Sequence, residues 1–199
     1  MRYNVDNGTL RRFCGGAIVA SKYVITAAHC LWDLDDNFYN EKYDRRDVRD
    51  IISVSIGDHH TSRKRETYLP EKYILVQRVI KHPEHTEGIG VPGKPDIMIL
   101  ELVTEIDLRI YTPACLTDPL DINTFVGEMA TVVGWGALDN MRDFNGGPII
   151  RNRTYSKVPH EVDIPIMDGA DCPDYKRSKY KPICGRSVEN KNACYVSIT

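Results

Sequence analysis

The sequence predicts an all-β fold of short antiparallel strands, closed into barrels or packed as sandwiches. Three observations carry this expectation. Apolar residues recur with a period of two or in short uninterrupted runs, and turn residues separate those runs at short intervals. Segments with the 3.6-residue period of a helix are few. The 199 residues suit one domain or two small ones, since all-β barrels run to roughly 200–250 residues as a unit.

Taken in order, residues 16–20 (Gly-Ala-Ile-Val-Ala) and 23–26 (Tyr-Val-Ile-Thr) read as strands separated by Ser21-Lys22. Residues 27–31 (Ala-Ala-His-Cys-Leu) allow one helical turn. Residues 33–50 and 58–72 are charged and studded with aromatics, and read as solvated surface insertions. Between them, residues 51–56 alternate apolar side chains with serine. Residues 73–80 and 97–102 are rich in Val, Ile and Leu and bounded by Pro and Gly, as strands are. Residues 107–123, with Pro113 and Pro119, read as a connector between two strand-rich halves. Beyond it, residues 130–135 and 162–166 repeat the strand pattern, and residues 168–180 suit a short helix with Asp168 as its N-cap. There is no internal repeat of fixed period and no low-complexity tract.

Composition removes several classes of function. Lys+Arg is 26 and Asp+Glu 28, a net charge of −2, without the basic excess that non-specific nucleic-acid binding requires. With 14 glycines, 11 prolines and 42% hydrophobic residues, collagen-like and disordered classes are excluded. No stretch approaches the roughly 18 apolar residues of a membrane span. The first eight residues, Met-Arg-Tyr-Asn-Val-Asp-Asn-Gly, hold no apolar core and are not expected to act as a secretory signal. Six cysteines point outside the reducing cytosol. So do two glycosylation sequons, at Asn7 and Asn152, although such triplets also arise by chance.

Several motifs resolve into ordinary surface. Gly88-Ile89-Gly90-Val91-Pro92-Gly93 has the spacing of a dinucleotide-binding loop, but a His-Pro turn precedes it and no helix N-terminus follows to hold a pyrophosphate. His82-Pro83-Glu84-His85 lacks the helix and the further ligands of a metal site, and reads as a turn. His59 and His60 would point to opposite faces of an extended chain. Residues 13–30 differ in kind. They place His29 on a tight turn after a strand, beside Cys30 and downstream of Cys14. By spacing alone, such a histidine is either structural or a fixed catalytic imidazole.

That segment, Phe-Cys-Gly-Gly-Ala-Ile-Val-Ala-Ser-Lys-Tyr-Val-Ile-Thr-Ala-Ala-His-Cys, closely resembles the first signature of the trypsin/chymotrypsin-like serine proteases. The resemblance implies that His29 is the general base and that Cys14 and Cys30 form the flanking disulfide. It continues in register over nearly the whole chain. Residues 96–102 (Asp-Ile-Met-Ile-Leu-Glu-Leu) resemble the family's Asp-Ile-Ala-Leu-Leu segment, which makes Asp96 the carboxylate that orients the base. Gly134-Trp135-Gly136 resembles the opening of the second barrel, and residues 111–116, with Cys115, resemble the linker between barrels. Cys172 and Cys184 match the pair that staples the intermediate helix, and Asn192 stands where trypsin-like members carry the Asp of the primary pocket floor. A neutral Asn lacks the charge that selects Arg or Lys.

The implied fold is a trypsin-like double six-stranded antiparallel β-barrel. Residues 1–106 would form the first barrel, 107–122 the connector and 123–199 part of the second. The family's nucleophile lies in Gly-Asp-Ser-Gly-Gly, four residues past a cysteine. Here Cys194 is followed by Tyr195-Val196-Ser197-Ile198-Thr199, and Ser197 has neither the spacing nor the glycines. Nor does Ile-Val-Gly-Gly, the family's mature N-terminus, precede Cys14. The sequence is therefore expected to be truncated at both ends, without the first strand, the last strands and the terminal helix. Cys194 would lose its partner and Cys115 would have none. The implied parent is a secreted endopeptidase acting on proteins or peptides, open to protease inhibitors, with no cofactor, no metal, no nucleic-acid partner and no membrane contact. This chain is expected to be inactive as it stands; a non-catalytic homologue acting as a binding or regulatory module is the alternative. Calcium binding near Asp58 is not predicted, because the insertion scrambles the family's ligand register.

Overall fold

A computed structural model describes residues 2–4, 10–12, 14–30, 52–62, 69, 71–85, 94–116, 122–136, 155–171 and 183–185. Ten strands and two short 3-10 turns make up these residues, so the all-β expectation holds. The first seven strands are β1 (Arg2–Asn4), β2 (Leu10–Arg12), β3 (Ala17–Ala20), β4 (Tyr23–Thr26), β5 (Ile52–Ile56), β6 (Lys72–Lys81) and β7 (Met98–Leu102). They form one sheet in the order β2-β1-β5-β6-β7-β4-β3, every pair antiparallel. The remaining strands, β8 (Met129–Gly134), β9 (His160–Met167) and β10 (Cys184–Gly185), form a second sheet in the order β10-β9-β8.

Chain connectivity forces the larger sheet to curl. Laid flat, the outer strands of seven would stand about 29 Å apart at the usual inter-strand spacing. The five steps from Arg12 at the end of β2 to Ala17 at the start of β3 span at most about 17 Å. The two edges must therefore turn towards each other, giving a half-barrel whose concave side is the core. Met98, Leu100 and Leu102 of β7 fill it, with Val24, Ile52, Val54, Ile56, Ile74 and Val76 from the neighbouring strands. Ile106 and Tyr111 close one end, held by backbone bonds from Ile106 N to Ser21 O and from Ala114 N to Ile18 O.

Each anticipated strand is present within a residue or two, and three were not anticipated. Near the start of the chain, β1 pairs with β5 through Tyr3↔Ile52 and Arg2↔Ser53, and with β2 along its length. Strand β10 is a two-residue pairing with β9. Residues 58–62 are turn and bend, as an insertion requires, whereas Lys72 already belongs to β6. At the end of β9, Asp168 Oδ1 accepts a hydrogen bond from Ala170 N and opens a 3-10 turn over Gly169–Asp171. The rest of the anticipated helix, the insertion 33–50 and the glycine-rich stretch 88–93 lie outside the described residues.

The two sheets meet through polar contacts. Trp135 Nε1 donates to His59 O at 2.9 Å, and Thr61 N donates to Lys157 O at 2.7 Å. Among the described residues, no helix is long and apolar enough to cross a membrane.

Candidate functional site

The site begins at the end of β4, where small residues let the chain turn against the core. Ala27 and Ala28 are buried, and Thr26, also buried, turns its hydroxyl inwards to donate to Gly15 O at 2.7 Å. Gly16 lies so close to β4 that a Cβ there would stand 2.9 Å from Ile25 O and 3.0 Å from Val24 Cγ1. Only glycine fits that approach without moving backbone. The disulfide between Cys14 and Cys30 ties the two legs together across a Cα–Cα distance of 6.1 Å. His29 is thus held between a buried Ala28 and a cross-linked, fully buried Cys30.

Asp96 arrives on the segment that leads into β7, the strand paired with β4. β4 pairs with β7 through Tyr23↔Glu101 to Thr26↔Met98. Beyond the last pair, Thr26↔Met98, the two segments stay close enough for the carboxylate to fall beside His29 although 67 residues separate them. Both carboxylate oxygens are used. His29 N donates to Asp96 Oδ1 at 2.8 Å, and the ring nitrogen Nδ1 lies 2.6 Å from Asp96 Oδ2. An ionised carboxylate only accepts hydrogen bonds, so Nδ1 carries the proton of this contact, and in the neutral ring that leaves Nε2 as the acceptor. The two side chains are partly exposed, 22% for His29 and 35% for Asp96. A dyad of this kind can take a proton at Nε2 and hold the resulting imidazolium against a fixed negative charge.

Cys14, His29 and Cys30 bring three donor atoms within 4.8 Å of one another, the spacing of a metal cage. Both sulfurs are committed to the disulfide, and a metal site needs thiolates, so this group is not a donor set. Cys184 is disulfide-bonded, and Cys172, the partner implied by the resemblance, lies outside the described residues. So do Asn7, Asn152, Asn192, Cys194 and Ser197. Cys115 is exposed and free. Sequence reading treated Thr26 as a strand residue and overlooked its hydroxyl. The signal was there: a polar residue ending an apolar strand, just before a turn of alanines.

The family model described as Trypsin matches residues 2–195. The chain is similar to "Serine protease SSP1" of Scolopendra subspinipes, 28% identical over 80% of this chain and 46% of that protein. It is similar to "CLIP domain-containing serine protease B15" of Anopheles gambiae, 33% identical over 70% of this chain and 37% of that protein. It therefore spans less than half the length of either relative. Its fold matches the solved structure of neuropsin, a serine protease expressed in the limbic system of mouse brain, with a TM-score of 0.62 at 20% identity over 97% of this chain and 72% of that one. A family match from the first strand almost to the last residue, joined to that fold, means that the chain belongs to the trypsin family of serine proteases.

Proposed function

We propose that this chain carries the proton-transfer half of a serine endopeptidase site, with His29 as general base and Asp96 as the carboxylate that fixes its tautomer. One observation supports the reading above the others: Asp96 grips both the ring and the backbone of His29, at 2.6 and 2.8 Å. In peptide hydrolysis, Nε2 of such an imidazole takes the proton of an attacking serine hydroxyl and returns it to the leaving amine. The Gly-Asp-Ser-Gly-Gly segment that supplies this hydroxyl in the family does not occur in the 199 residues. Its backbone N–H groups also form the oxyanion hole, worth about 2.7–4 kcal/mol for a single donor in a related type of site. We expect the chain by itself not to hydrolyse peptides.

On this reading, protein or peptide chains are the substrate class and protease inhibitors are further partners. Asn192, matched to the pocket floor, would leave the pocket without the charge that favours Arg or Lys. The Cys14–Cys30 disulfide supports an extracellular setting, in which Asn7 and Asn152 would be glycosylated. The second reading is a non-catalytic homologue that binds rather than cleaves.

Two measurements test these readings. A fluorophosphonate probe should leave the chain unlabelled, and labelling that disappears in Ser197→Ala would overturn the inactivity. Sequencing the transcript past the Cys194 codon separates the two functions. An in-frame Gly-Asp-Ser-Gly-Gly supports the endopeptidase, and a stop after Thr199 in secreted protein supports the binding module.

A further inference from the structure

The turn His82-Pro83-Glu84-His85 has so far been only surface, yet it holds the segment that carries Asp96 on both sides. His82 N donates to Ile97 O at 3.1 Å, extending the β6–β7 ladder one step past Lys81↔Met98. His85 Nδ1 lies 2.9 Å from Pro95 O, and since a carbonyl only accepts, the ring donates. The carbonyls of Pro95 and Ile97, the residues on either side of Asp96, are therefore both bonded to this one four-residue turn.

The turn is braced from within. His85 N donates to His82 O at 2.9 Å, and Glu84 N donates to the His82 ring nitrogen Nδ1 at 3.1 Å. Pro83, within this turn, has no N–H and so adds no donor to compete for the carboxylate. Both Asp96 oxygens stay directed at His29.

The geometry points to His85 as a positioning residue for Asp96: its imidazole N–H fixes the Pro95 carbonyl, and through it the carboxylate that orients His29. The inference rests on the proposed dyad and adds the element that aims it. A bond from one side chain to a single peptide carbonyl sets the rotation of the peptide plane entering Asp96. With that bond removed, Asp96 keeps its place at the head of β7 but gains freedom to turn away from His29.

The experiment is NMR on the full chain, comparing the unmodified protein with His85→Ala and His85→Asn. Asn presents an amide N–H at nearly the position of Nδ1, so it restores the donor without the ring. Two signals are read: the low-field proton resonance of His29 Nδ1–H, and the solvent-exchange rate of the His29 backbone amide, which bonds to Asp96 Oδ1. In His85→Ala the Nδ1–H resonance should move upfield or broaden away, and the His29 amide should exchange about fivefold faster, as expected for the loss of a typical hydrogen bond. The Leu100 amide in mid-β7 should exchange at its original rate, and His85→Asn should restore both His29 signals. Unchanged His29 signals in a folded His85→Ala would overturn the inference and leave the dyad standing. So would Leu100 and His29 amides accelerating together, or a His85→Asn variant indistinguishable from His85→Ala. Absence of the low-field resonance from the unmodified protein would instead overturn the dyad itself.

Discussion

Replacing Cys14 and Cys30 together by alanine removes the cross-link between the two legs that carry the His29 turn. The bond closes a loop between cysteines 16 residues apart. For a closed loop of about that length, chain entropy gives a stabilisation of about 3 kcal/mol at 25 °C. Cys30 is fully buried, with the Thr26 hydroxyl oxygen 3.8 Å from its sulfur, so trimming it costs packing as well. For a chain of this size, about 3 kcal/mol corresponds to a fall in Tm of about 6–12 °C. Thermal unfolding followed by far-ultraviolet circular dichroism, with the double variant beside the unmodified protein, measures it directly. A fall of under about 2 °C would refute the reasoning. It would mean that the β3–β4 and β4–β7 ladders already confine the two legs in the unfolded ensemble as tightly as the covalent bond does.

Two further outcomes follow from single contacts. Gly16→Ala drives a Cβ to 2.9 Å from Ile25 O, a backbone atom that cannot step aside; a loss of about 1–3 kcal/mol is expected from urea unfolding, as for other overpacked sites. Gly185→Ala is its control, because there the Cβ meets the flexible tip of Ile164 at 2.6 Å and should cost clearly less. Asp107 is held to a pKa of about 2 by the side-chain and backbone hydrogen bonds from Arg109. A depressed folded value means that any stability it adds is present above the ordinary value of 3.8 and is lost as the pH falls through about 2. In Arg109→Gln the carboxylate resonance of Asp107, followed by NMR titration, should move back towards the ordinary range.

The long strands were legible because their side chains alternate or run apolar: β4, β6 and β7 each carry three or more Val, Ile, Leu or Tyr residues. Strands β1 and β2 were not, since Arg2-Tyr3-Asn4 and Leu10-Arg11-Arg12 are three residues long and mostly polar. Pairing of β1 with β5, and of β2 with β1, makes them strands, and pairing is a fact that a local pattern does not contain. The serines of β5 mislead in a similar way. Ser53 should face solvent by alternation but is buried. As for the site, residue spacing alone left His29 between structural and catalytic roles, and the resemblance supplied Asp96. Their meeting depends on the β4–β7 register, and nothing near either residue in the chain encodes it. The bond from His85 to Pro95 was hidden for the same reason: a His-Pro turn reads as surface until its neighbours are known.

The register that unites His29 with Asp96 also works as a quality control on the molecule. Side chains along a strand face opposite ways in turn, so slipping β7 against β4 by one residue would send the carboxylate to the far side of the sheet. A slip of two would carry it about 7 Å along the strand and out of reach of the ring. A mispaired chain therefore holds no weakened version of the dyad; it holds none.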